Sequence, residues 1–275
     1  MLRRASLLLA AATAGALLLA GCGGNGAEVR SEGSHQRAHS AGLGIARTPA
    51  VKAVTTVRPR RCKPDTFRAS PAQAYAAVVL PRVAIVRTWP GAGAPVRRRY
   101  ARIDLNGFPT VLGVLGAHTS GCRALWFRVQ LPSRPNGSNG WVRAADVSVY
   151  PVNTRVVVDL SSRRLVLYRW GRPAMSTRVA VGTEQTPTPV GRFYVNERFR
   201  LDSPDGPFGV AALGISAHSN VLQNWVQGGP IALHGTNDPG SIGTAASHGC
   251  VRLGNADMRR LFRLTPAGTP VLIRD

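Results

Sequence analysis

From about residue 80 to residue 150 the apolar positions come in short runs. Val83–Val86 stops at Trp89-Pro90-Gly91-Ala92-Gly93, and Thr110–Leu115 and Ala124–Leu131 follow. Pro135-Asn136-Gly137 and Asn139-Gly140 carry turn chemistry, and Trp141–Arg143 leads to Ala145–Val147. Runs of this length and spacing predict several short strands closing a small barrel, with Trp126 and Trp141 in its core. Upstream, Ser70-Pro71 has the Ser-then-Pro order of a helix start, so the stretch to Val79 reads as one short helix or a lead-in strand. Tyr150-Pro151 is a boundary, because a second strand series begins at once. Arg155–Leu160, the turn Ser161-Ser162 and Arg164–Tyr168 predict a hairpin, and Ser176–Val181, Gly191–Val195, Ile231–His234 and Thr269–Ile273 predict further strands. Between them Thr186-Pro-Thr-Pro-Val-Gly191 is a stiff loop. Asn255 is expected to cap a short helix, with Asp257 in its first turn. The expected fold is mainly β.

The chain opens differently. Arg3 and Arg4 precede an uncharged run from Ala5 to Ala20 that ends in small residues. That order is the one found in secretory signal peptides, and the run is short for a membrane span. Leu19-Ala20-Gly21-Cys22 resembles the lipobox of bacterial lipoproteins, which implies a lipid on Cys22 and anchoring to the membrane on the side facing the cell wall. Residues 22–74 are rich in Gly, Ala, Ser, Arg and Pro and hold few aromatic groups, a composition that predicts a disordered basic tether. The expected organisation is a signal peptide over 1–21, the tether over 22–74, a barrel over 75–150 and a second domain over 151–275.

Charge adds one point. The whole chain carries 35 basic and 13 acidic side chains, a net +22. Residues 23–151 hold 19 basic and 5 acidic groups, against 14 and 8 in residues 152–275. The front half therefore attracts polyanions. Export argues against nucleic acid and leaves anionic wall polymers or the membrane surface.

Candidate chemistry lies near the end of the chain. Ser247-His248-Gly249-Cys250-Val251-Arg252-Leu253 follows His234-Gly235-Thr236 by little more than ten residues. A thiol beside His, Gly and Arg in an exported chain is a reactive arrangement: the thiolate attacks, and a nearby cation or His supports it. Gly249 lets backbone approach closely, and N–H groups around Cys250 can line an oxyanion hole. Three rival readings stand beside this one. A buried structural Cys fits poorly in so polar a segment. A zinc site from His218, His234, His248 and Cys250 has the right donor types, but its spacing matches no structural zinc pattern. An amidase or a sortase would also use a Cys–His pair.

The motif separates them. His234-Gly-Thr followed by Ser247-His-Gly-Cys-Val-Arg-Leu resembles the L,D-transpeptidase catalytic-domain family, and so do Thr186–Phe193 and Gly209–Ser216. The segment Trp126–Gly137 with Gly140-Trp141-Val142 resembles bacterial Src-homology-3-like domains of wall enzymes. The first resemblance implies a β-sandwich with few short helices, Cys250 as nucleophile, and His234 as base oriented by the Gly235 carbonyl. It implies that His248 and Ser247 shape the catalytic loop, that Arg252 holds the donor peptide or positions Cys250, that Gly249 meets the substrate and, on weaker grounds, that Thr236 and Trp225 line the pocket. His248 reads equally well as a structural loop residue, and Arg252 as a surface ion-pair partner. The implied reaction needs no cofactor or metal. It joins a peptidoglycan tetrapeptide stem, as donor, to a neighbouring stem as acceptor, in a third-to-third cross-link; water as acceptor would make the enzyme an L,D-carboxypeptidase. A wall-binding lipoprotein without activity is the alternative from another class. With Cys22 and Cys250 assigned, Cys62 and Cys122 remain as an expected disulfide.

Overall fold

The computed structural model describes residues 67–201 and 203–275, without the side chain of Val226. The signal peptide, Cys22, Cys62 and nearly all of the tether lie outside the described residues.

The front segment is built from β1 (Ala74–Val79), β2 (Val83–Arg87), β3 (Val96–Ala101), β4 (Val111–Ser120), β5 (Arg123–Gln130), β6 (Asn139–Arg143) and β7 (Val147–Val152). They form one seven-stranded sheet in the order β3-β2-β6-β5-β4-β1-β7. The stretch after Ser70-Pro71 becomes strand, not helix. Ser70 Oγ accepts the N–H groups of Ala72 and Gln73 in a turn, and Ala74, Ala76, Ala77 and Val79 are buried. The two tryptophans differ from expectation. Trp126 and Trp141 are half-buried and lie outside the core cluster, whereas their neighbours Phe127 and Val142 lie within it. Successive strand residues face opposite sides, so the large apolar ring and the core position are one residue apart. Strand β3 carries Arg97, Arg98 and Arg99, all exposed, and offers no apolar alternation from which to read it. It is an edge strand, where charge on the solvent side discourages further pairing.

The back segment contains β8 (Thr154–Asp159), β9 (Arg164–Arg169), β10 (Arg172–Arg178), β11 (Val181–Gly182), β12 (Gly191–Arg200), β13 (Ala211–His218), β14 (Pro230–His234), β15 (Ala245–Ser247), β16 (Val251–Arg252), helix α1 (Asn255–Leu264) and β17 (Pro270–Arg274). The expected hairpin is β8–β9, with Val156 and Val158 facing the core beside Leu165 and Leu167. Eight strands join in the order β10-β9-β8-β17-β12-β13-β14-β16. Strand β12 makes the turn in this sheet. Its first half, Gly191–Tyr194, pairs with β17, and its second half, from Val195, pairs with β13 across a register shift. A bulge bends a strand and sharpens its twist, so the two halves enclose one core of Val, Leu, Ile and Phe side chains. Met258 and Leu261 of α1 reach that core while Arg259 and Arg260 face outward. Asn255 does not cap this helix: Gly254 is the N-cap and no side-chain cap bond is made.

The two segments are joined by specific contacts. Tyr194 is fully buried, its hydroxyl donates to the Val111 carbonyl at 3.1 Å, and its ring fills the space above Gly113 that a Cβ would need. Gln130 Nε2 donates to the Arg192 carbonyl at 2.6 Å.

Candidate functional site

The site is assembled along β14. This strand pairs antiparallel with β13 and parallel with β16, in the register Leu233↔Val251 and His234↔Arg252. Cys250 immediately precedes β16, so the parallel register sets it beside Ala232, whose N–H points to Cys250 Sγ at 3.4 Å. His234 ends β14 and is 3% exposed. Two residues distant in the sequence thus become lateral neighbours by strand pairing. Both line one cavity of about 1460 Å³, whose walls come from the front segment (Tyr100, Asp104 and Asn106 among them) and from the back segment.

The protonation of the pair follows from its contacts. His234 Nδ1 is 2.6 Å from the Gly235 carbonyl oxygen. A carbonyl only accepts, so Nδ1 carries the hydrogen and Nε2 is the basic nitrogen of the neutral ring. Burial lowers the imidazole pKa to about 4, the Gly235 bond opposes this, and the Arg252 charge lowers it further. Burial pushes the Cys250 thiol up, against the Ala232 N–H and Arg252, which pull it down. The resting pair is therefore neutral thiol and neutral imidazole. This differs from the stabilised thiolate expected from a neighbouring Arg and His⁺, because desolvation outweighs both helpers. Cys250 is the free cysteine among the described residues, and Cys122 is disulfide-bonded.

The loop that presents Cys250 is held from below. Ser247 Oγ donates to the Cys250 carbonyl and accepts the Gly249 N–H at 3.1 Å. The Gly249 N–H is thereby engaged within the loop and does not point to an oxyanion. Ser247 O in turn accepts the Thr183 N–H at 3.0 Å and Thr186 Oγ1 at 3.1 Å. The proline-rich 186–190 stretch thus buttresses this loop. Gly249 has φ 112°, and a Cβ there would meet Ile231 Cδ1 at 3.0 Å and Pro187 O at 3.5 Å. The close approach that requires glycine is to the protein's own chain.

The other candidate residues fall on either side of the cavity wall. Arg252 lines it, and its Nε is buried without a hydrogen-bond partner. His248 is exposed at the rim, with its ring 5.8 Å from that of Trp225. Thr236 is buried away from the wall, and its hydroxyl accepts the Asp238 N–H at 3.0 Å. Phe208, which sequence reasoning passed over, packs edge-on against His234 with ring centroids 4.8 Å apart. Its position in a Pro-Phe-Gly stretch between strands gave no periodic signal. Among the described residues no group of three His, Cys, Asp or Glu side chains is gathered to hold a metal.

Comparison with known proteins follows the same lines. Residues 153–273 match the L,D-transpeptidase catalytic domain family. YkuD of Bacillus licheniformis, named an L,D-transpeptidase, is 34% identical over 150 residues, covering 52% of this chain and 83% of its own length. YkuD of Bacillus subtilis, named likewise, is 36% identical over 124 residues, covering 45% of this chain and 68% of its own. A crystal structure of an Enterococcus faecium L,D-transpeptidase mutant is 26% identical, covering 44% of this chain and 49% of that one, with a TM-score of 0.36. This chain spans about half the length of that protein.

Proposed function

Because the chain belongs to the L,D-transpeptidase family, we propose that it cross-links peptidoglycan stems through a Cys250 thioester, with His234 as the base. The register of β14 against β16 supports this most directly, since it sets thiol and imidazole on one cavity wall.

The chemistry closes with the groups present. As Cys250 Sγ attacks the carbonyl carbon of the bond before the terminal D-Ala, its proton passes to His234 Nε2. The tetrahedral carbon then expels the D-Ala nitrogen, which takes that proton, and a thioester remains. An amine of a neighbouring stem attacks the thioester, His234 accepts a proton from it, and Cys250 leaves as the thiol. A neutral imidazole suits this route, because it can accept a proton throughout the neutral range. Cys250 and His234 are not hydrogen-bonded to each other in the resting site, and such pairs commonly tighten only on substrate binding. Arg252 lines the same cavity and its Nε has no hydrogen-bond partner, which supports a role in binding a carboxylate of the donor stem.

Mass analysis of purified protein incubated with a disaccharide-tetrapeptide tests the reading. The expected product is a dimer that has lost one D-Ala, made by the wild type and absent with Cys250→Ala. Tripeptide without dimer would show hydrolysis as the activity. A Cys250→Ala protein that still forms the dimer sinks the proposal.

A further inference from the structure

We propose that Asn255 is a positioning residue for the Cys250–His234 pair, aiming the imidazole through the Gly235–Thr236 peptide group. The inference rests on reading His234 as the base.

The Gly235 carbonyl and the Thr236 N–H belong to one planar amide, so fixing one end fixes the direction of the other. At one end the carbonyl oxygen accepts His234 Nδ1–H at 2.6 Å. At the other, the Thr236 N–H donates to Asn255 Oδ1 at 3.2 Å. The same oxygen accepts the Val210 N–H at 3.3 Å, and Asn255 Nδ2 donates to the Pro204 carbonyl at 3.3 Å. A continuous chain of donors and acceptors therefore runs from the imidazole through an amide to a side-chain carbonyl. In a chain of this kind each bond polarises the next. Asn255 thereby supplies, one amide away, the orientation that a third side chain supplies in Ser–His–Asp sites.

Space points the same way. A Cβ on Gly209 would lie 2.0 Å from Asn255 Oδ1, and one on Gly235 would lie 2.3 Å from it. Two backbone segments are thus thinned to glycine where they meet this one oxygen. Asn255 sits at the first turn of α1 but gives its side chain to these segments and not to its own helix. Arg252, on the strand paired with β14, is the charged group acting on His234, and Phe208 covers the ring.

Histidine ¹⁵N NMR and acylation kinetics on the full chain test this. With Asn255→Ala, His234 should change from a single Nδ1–H tautomer to a mixture. Acylation by a donor peptide should slow by about 10-fold, the low end of what outer-shell partners of metal-bound histidines contribute by orienting the ring. Asn255→Asp keeps an acceptor for both N–H groups and should retain the tautomer and most of the rate. Its charge, felt through the amide, should raise the His234 titration above the wild-type value. A folded Asn255→Ala protein with unchanged tautomer and rate overturns the inference. If that variant does not fold, an unmoved His234 titration in Asn255→Asp overturns it. The tautomer is read without turnover, whereas a His234→Ala protein that acylates at the wild-type rate would remove the base reading itself.

Discussion

At the scale of single residues the site is governed by desolvation. Burial raises the Cys250 thiol and lowers the His234 imidazole, and both shifts favour the neutral pair before substrate arrives. The ultraviolet absorbance of thiolate, taken as wild type minus Cys250→Ala, should therefore appear only in the alkaline range. An absorbance step near pH 4 would instead reveal a resting thiolate–imidazolium pair. The same burial has a consequence for stability. The folded pKa of His234, about 4, lies below the ordinary 6.5, so between these values the unfolded chain binds more protons. Stability from this group is fully present above the ordinary value and is lost as pH falls toward the folded one, by about 3 kcal/mol at the limit. Urea denaturation should show that slope in wild type and a shallower one in His234→Gln.

At the scale of elements the Cys250 loop depends on a second, non-adjacent loop. Thr186 Oγ1 reaches Ser247 O, and Thr183 and Thr186 bond to each other at 2.9 Å. Thr186→Val keeps the volume and removes these bonds. It should cost about 1 kcal/mol in stability and slow Cys250 acylation several-fold, with less effect on substrate binding. Equal acylation rates for variant and wild type would show that the loop needs no such support. Strand β12 illustrates how an element can be legible only in part. Gly191–Val195 has the aromatic and β-branched content of a strand, but the strand changes partner at Val195 and continues to Arg200 through partly exposed residues. No local pattern announces a change of partner, because it is set by the sheets on either side.

At the scale of the whole molecule the front segment reaches across to the wall of the cavity. Arg134 donates to the Gly228 carbonyl at 2.8 Å and to the Ser219 carbonyl, and Asn136 exchanges two hydrogen bonds with the backbone of His218. Gln227 Nε2 donates to Asn106 Oδ1 at 3.1 Å. These bonds hold both ends of the 219–229 stretch, which carries Trp225 to the rim beside His248. Removing a charged donor from these part-buried carbonyls costs about 1.5–3 kcal/mol. Arg134→Ala should therefore raise amide hydrogen exchange in residues 219–229 by about 10-fold or more while β8, β9 and β17 stay protected. Exchange that is unchanged in 219–229 would mean that the front segment does not hold this stretch.

The sequence by itself determined the mainly β class, the β8–β9 hairpin, the closing strand and the pairing of Cys250 with His234 as candidate chemistry. The first three rest on information carried within a few residues, alternation with period two and turn chemistry, whereas the Cys250–His234 candidate rests on the resemblance of two separate motifs to one family. Only the tertiary structure decided the rest. Trp126 and Trp141 lie off the core because register is a property of the sheet. Strand β3 went unread because an exposed edge needs no apolar face. Asn255 has the local features of a helix cap and is drawn instead to Val210 and Thr236, which the fold brings to it. The thiol is raised because burial is set by the assembled cavity, whereas neighbouring charges can be read along the chain. Local chemistry is written in the order of residues, but desolvation, register and long-range hydrogen bonds exist only once the sheets have closed on each other.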